Sequence, residues 1–366
     1  MNLNSLYFRF IRFSLGLCTW DNVAIDWRDF YEFCRHQTLV GIAFDGVQRL
    51  PKEFAPPKAL LMRWLVQSQT IRQQNLRMNR ATAYIYNKVN DAGFCCCILK
   101  GQGNALMYPN AYSRTPGDVD VWVCASREAI RRLAQSLAAD GNGIIGEESL
   151  NHIEMTLRGI SVELHATPAI VSNPVYNHRL QRWLRSTAHR QCCNIVQLPD
   201  GAGEVAVPTS EFNAVYQLFH LYHHYLYEGV GLRQIVDYYY VVVRSAALGV
   251  RRSSLQRDLK RLGLGHFAGA VMYVLHEVLA LSEGKMLAPM DKTRGRLLLA
   301  EIMQGGNFGQ HSEEQRSGAM TWHHNIYRLQ QDLRLMRYYP SECLAEPFYR
   351  LWHFLWRTKH SGTWAE

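Results

Sequence analysis

A chain of 366 residues with 48% hydrophobic and 19% charged content is long enough for two or three domains and too apolar to be disordered. Its formal net charge of +9 inclines it toward polyanionic partners without naming one. Nine cysteines without a C-x-x-C pair argue against a structural zinc site, and no apolar run reaches the ~18 residues of a membrane span; the expectation is a cytoplasmic protein with reduced, buried thiols and no stable membrane insertion.

Residues 1–92 read as a helical arm. The start, MNLNSLYFRFIRFSLGL, sets Arg9 and Arg12 among aromatics and lacks a signal-peptide pattern, so it is expected to be an amphipathic helix packed on the core. Trp27, Phe30, Tyr31 and Cys34 fall at helical spacing. Pro51, Pro56 and Pro57 break the pattern, and a long helix is expected from Lys58 to Asn90, stopped at Gly93.

The period then changes. FCCCIL (94–99) is short, apolar and bounded by glycines, and reads as a buried strand. DVDVWV (118–123) reads as a second strand, followed by a helix capped by Ser126. In HIEMTLRGISVELHA (152–166), apolar and polar residues alternate on both sides of Arg158-Gly159. A two-residue turn there sets Glu154 opposite Glu163 and His152 opposite His165, giving one apolar and one polar hairpin face. A further β excursion covers 194–199 and 204–208. Helical segments then dominate, including two joined at Gly229 and Gly231. The fold class is therefore α+β: a small mixed sheet domain (93–207) between the arm and a larger C-terminal helical part (208–366).

Residues i and i+2 of a strand point to one side, roughly 7 Å apart. Asp118 and Asp120 thus present two like charges that repel unless something positive lies between them. A hard divalent cation such as Mg²⁺ resolves the repulsion through oxygen ligands. The hairpin offers a third carboxylate, Glu163, with Glu154 as its rival on the same face. Upstream, ILKGQGNALMY carries Lys100, Gly101 and Gly103 in a turn suited to close approach of phosphate, and Lys100 and Arg114 add positive charge.

The order of glycine turn, Asp-hydrophobic-Asp and a carboxylate between hydrophobics resembles the polymerase-β-like nucleotidyltransferase superfamily. More narrowly, LKGQGNALMYPNAYSRTPGDVDVWV, VELH and EGVGLRQIVDYYYVV resemble a bacterial uncharacterised nucleotidyltransferase family. The turn departs from the superfamily pattern, with Gly101-Gln102 where Gly-Gly or Gly-Ser is usual. The resemblance implies a nucleotidyltransferase core that binds NTP with two Mg²⁺ ions, or Mn²⁺ in their place. Asp118, Asp120 and Glu163 would be the catalytic and metal-binding residues, and Gly101 and Gly103 would border the phosphates. The reaction implied moves NMP to a hydroxyl on a small molecule, sugar, protein or RNA, with pyrophosphate release. The alternative is a catalytically silent nucleotide-binding regulatory protein. A nucleic-acid partner is not favoured, because the basic residues are scattered rather than striped.

In the helical part, Arg233 and Asp237 stand at i, i+4, the spacing of an ion pair. The competing reading turns Arg233 to the triphosphate. His220, His223 and His224 share one helix face, as a transition-metal site or as a polar wall of the cleft. His165, two residues from Glu163, either orients that carboxylate or merely continues the polar face.

Overall fold

The computed structural model describes residues 3–21, 23–305 and 333–360. The first helix, α1 (Leu3–Ser14), buries Phe10 and Ile11 completely. Its Arg12 donates through Nε to the Val278 carbonyl at 2.8 Å, at the C-terminal end of the helix Gly265–Leu279. A cation placed there meets the helix's negative end, which ties the first helix to a distant one. Asp26 caps the next helix, α2 (Trp27–His36), by accepting from the amides of Arg28 and Asp29. After α3 (Val40–Val47) comes the long α4 (Lys58–Asp91), which ends just before Gly93 at φ +84°.

Five strands form the main sheet in the order β1-β2-β5-β4-β3. They are β1 (Cys96–Leu99), β2 (Val119–Val123), β3 (Ile144–Glu148), β4 (His152–Leu157) and β5 (Ile160–His165). The β2–β5 pair is parallel and the others are antiparallel, so the sheet is mixed. Between β1 and β2 lies the short α5 (Gly101–Ala105); α6 (Arg127–Gly141), capped by Ser126, crosses from β2 to β3. The β4–β5 hairpin has the register that the alternation requires, with Glu154 opposite Glu163 and His152 opposite His165. Its turn residues Arg158 and Gly159 have φ of +50° and +71°, the signature of a turn whose twist matches the strands. Helix α4 backs this turn: Arg77 donates to the Arg158 carbonyl at 2.8 Å, and the Arg158 guanidinium lies 4.1 Å over the Tyr84 ring.

The two faces of the sheet have different neighbours. Val119, Val121, Val123, Met155, Val162 and Leu164 bury against α6 and the second half of α4, forming one hydrophobic core. On the other face, Trp122 stacks on Phe212, which stacks on Trp183. This end of the face joins a second core that unites the N-terminal arm with the C-terminal helices. The polar end, with Asp120 and Glu163, is left open as a cleft.

Helices α7 (Pro174–Cys192), α8 (Ser210–Tyr227) and α9 (Leu232–Ala247) follow, with the two-stranded hairpin β6 (Ile195–Leu198) and β7 (Gly203–Ala206) between α7 and α8. Both α8 and α9 are buried along most of their length, because they are sandwiched between the sheet and the remaining helices. None of the nine cysteines is in a disulfide, but burial holds only in part: Cys34, Cys96, Cys97 and Cys343 are buried, whereas Cys18, Cys95, Cys124 and Cys193 are exposed. No helix among the described residues is long and apolar enough to cross a membrane.

Candidate active site

The parallel β2–β5 register makes Asp120 and Glu163 direct neighbours, and Asp118 precedes β2 on the same side. Ligand oxygens of Asp118, Asp120 and Glu163 lie within 4.8 Å of one another. Glu154 is one strand further out, half exposed, and is not part of that group. The sheet order makes this choice: β5 is flanked by both β2 and β4, so only its carboxylate can reach the aspartates.

Two cations answer the three carboxylates. Lys100 Nζ stands 2.9 Å from Asp120 Oδ1. His165 Nε2 donates to the same oxygen at 3.0 Å and approaches Glu163 Oε2 at 3.1 Å. Burial disfavours charge on His165, but its hydrogen bonds to Asp120 and Glu163 win and push its pKa up to about 9. Burial likewise opposes the Lys100 charge, and Asp120 outweighs it, so the ammonium is held more firmly than an ordinary lysine. Glu163 is shifted down: burial would raise its pKa, and the hydrogen bond from His165 more than offsets that. Three hard oxygen donors facing two nitrogen cations form a donor set that fits a divalent ion.

Lys100 adopts φ +48° and ψ −141°, a sparsely populated backbone region, and Gly101 follows at φ +47°. This kink brings the turn against β2, where a side chain on Gly101 would face the Asp118 carbonyl at 3.6 Å. Gly103 behaves differently. A Cβ there would stand 2.9 Å from Val207 Cγ1, so this glycine serves close packing of α5, and it borders a second cavity rather than the cleft.

The cleft has a volume of about 260 Å³. Its floor is the carboxylate cluster, and its far wall comes from α8 and α9. Arg114 and Arg233 both reach it, in unlike states. Arg114 sends Nε and Nη2 to the two oxygens of Asp237 at 2.7 and 2.8 Å, a bidentate pair buried on both sides. Tyr108 donates to the same carboxylate at 2.6 Å. Asp237 is thereby held below its ordinary pKa, because Arg114 overcomes the upward push of burial. The i, i+4 reading of Arg233 with Asp237 is replaced: Asp237 is taken by an arginine 123 residues away. Arg233 is 8% exposed and donates only through Nη1, to the Thr115 carbonyl at 3.3 Å, while its Nε has no partner among the described residues. Burial and the neighbouring Arg114 press its pKa down, as expected of a cation short of counter-charge.

His220, His223 and His224 line the wall opposite the carboxylates. His220 lies 3.4 Å from Lys100 Nζ and 3.0 Å from His224, and burial with Lys100 nearby drives its pKa well down, keeping it neutral. His223 and His224 face Glu228.

Sequence reasoning missed the Lys100–Asp120 and Arg114–Asp237 pairs and the Pro168–Ser172 segment, which closes one side of the cleft. It also missed Asn75, whose side-chain amide donates to the carbonyls of Tyr112 and Arg114 and so positions the loop before β2. The only sequence signal for these was the apolar setting of the charges themselves. A family model described as an uncharacterised nucleotidyltransferase matches residues 23–280, more than half of the chain. No curated protein gives a match.

Proposed function

This chain belongs to the uncharacterised nucleotidyltransferase family, and on that premise we propose that it transfers NMP from an NTP to a hydroxyl acceptor in the polymerase-β-like manner. The observation that carries the reading is the convergence of Asp118, Asp120 and Glu163 at the floor of a cleft whose wall holds an incompletely paired Arg233.

Asp118, Asp120 and Glu163 would hold Mg²⁺, in two positions, or Mn²⁺ in its place. When bound, such ions lower the pKa of an attacking hydroxyl and neutralise charge on the leaving pyrophosphate. The protein's own groups do the positioning. Arg233 supplies the charge that meets the triphosphate, and the Arg114–Asp237 pair fixes α9 so that Arg233 faces the cleft. Lys100 and Gly101 border the phosphates from the other side. His165 orients Asp120 and Glu163 together, by a hydrogen bond to each. The acceptor enters between the sheet and the α8 wall; a small molecule, a sugar, a protein side chain and an RNA end all offer the hydroxyl required.

Incubation with each labelled NTP and Mg²⁺ tests the reading. Pyrophosphate release that is lost in the Asp118→Ala/Asp120→Ala double variant supports it. Neither binding nor release with any of the four NTPs would refute it. The second reading, a silent nucleotide-binding regulator, draws on the ammonium of Lys100 already seated on Asp120. It predicts nucleotide binding without pyrophosphate release.

A further inference from the structure

We propose that His152, Glu163 and His165 form a nitrogen-bearing cation position beside the all-oxygen cluster, and that it takes a borderline divalent ion such as Mn²⁺ in preference to Mg²⁺. One ligand atom from each of the three residues falls within 4.8 Å of the other two. The β4–β5 register is responsible, setting His152 directly opposite His165 with Glu163 two residues before it on the same face. The two rings lie 5.1 Å apart and tilted, not stacked.

The nitrogen atoms are prepared for a ligand. His152 Nδ1 is buried, has no hydrogen-bond partner among the described residues, and stands 4.0 Å from Glu163 Oε2, beyond hydrogen-bond reach. Its other nitrogen, Nε2, is 3.5 Å from Glu154 Oε1. A carboxylate on one imidazole nitrogen fixes ring and tautomer and leaves the lone pair of the other directed at a metal. Glu154 thus acts outside the oxygen cluster and through His152. His165, 4% exposed, keeps Nδ1 unpartnered while Nε2 bridges Asp120 and Glu163, and an ion bound there displaces the proton that Nδ1 carries in the metal-free chain.

Buried polar nitrogen without a partner is costly, and two on one hairpin face indicate a missing ligand. Imidazole with carboxylate favours transition ions, whereas carboxylates alone suit Mg²⁺. Glu163 is common to both groups, so the proposal rests on the transferase reading only through that residue.

The test is pulsed electron paramagnetic resonance of the full chain loaded with Mn²⁺ alone, without nucleotide. The expected result is ¹⁴N modulation from directly bound imidazole, reduced in His152→Gln. Mn²⁺ affinity should fall about 10-fold or more in that variant, with Mg²⁺ affinity held within about twofold. His152 is partly exposed, so this variant is expected to fold; circular dichroism confirms that, and His165→Gln is the second probe. Mn²⁺ that fails to bind, or binds without ¹⁴N modulation, overturns the proposal, as does modulation unchanged in both variants. Because no turnover is read, absent nucleotidyl transfer with intact ¹⁴N modulation defeats the transferase reading and leaves this one standing.

Discussion

Lys100, the residue that follows β1, and Asp120 on the neighbouring β2 meet at 2.9 Å, and their charges neutralise each other at the floor of the cleft. The lysine holds the position that a divalent ion would contest, so removing it changes the carboxylates before it changes the fold. Lys100→Met should weaken nucleotide binding and lower single-turnover NMP transfer by about 10²-fold or more, on the scale of losing one preorganised electrostatic group. Quench-flow with labelled NTP checks this, with Asp118→Ala/Asp120→Ala as the reference for complete loss.

Mg²⁺ titration should separate Glu163 from Glu154. Glu163→Gln should weaken Mg²⁺ binding by about 10- to 100-fold, because it removes a charge adjoining Asp120. Glu154→Gln should leave Mg²⁺ affinity within about twofold. Isothermal titration calorimetry reads both, and equal losses would remove the distinction that the sheet order makes.

Arg233→Ala should reduce NTP affinity by about 10- to 100-fold, as expected for one charge-assisted contact of ~1.5–3 kcal/mol. Its thermal stability should change little or rise, since the residue is a buried cation without a full partner. Equilibrium binding of a non-hydrolysable NTP and a melting curve together test this; a large stability loss with unchanged affinity would make Arg233 a packing residue.

Asp237→Ala should destabilise the protein by about 3–5 kcal/mol, because it leaves Arg114 buried and uncompensated. The pH dependence has a definite sign. The Asp237 pKa lies below its ordinary value of 3.8 in the folded state, so the unfolded chain binds the proton more readily. The pair's contribution is full above about pH 4 and drains as pH falls through the lower folded value. Urea midpoints across that range should converge for wild type and Asp237→Asn at the acid end.

The legible parts of the molecule were those set by local pattern. The β4–β5 hairpin follows from strict alternation around a turn with two positive φ values, and the Asp118–Asp120 spacing speaks for itself as an i, i+2 pair. Membership of the uncharacterised nucleotidyltransferase family agrees with the ordered motifs. The partners of the charges were not legible. Asp237 had a neighbour of correct spacing in Arg233, yet the fold supplies Arg114, because α9 crosses the loop that Asn75 holds before β2. Lys100 read as a phosphate ligand, and only the β1–β2 register shows it beside Asp120. Periodicity reports which way a residue points and is silent on what comes to meet it.

Strand β5 is held in register with the aspartate strand by its parallel pairing to β2, whereas β4, between β5 and the irregularly paired β3, takes its alignment with β5 from the hairpin turn. A codon gained or lost at Arg158-Gly159 would therefore be absorbed by β4, displacing His152 while Asp120 and Glu163 keep their places. If these positions take the ions proposed for them, the length of one turn would set the chain's taste in metals without any substitution among the three carboxylates.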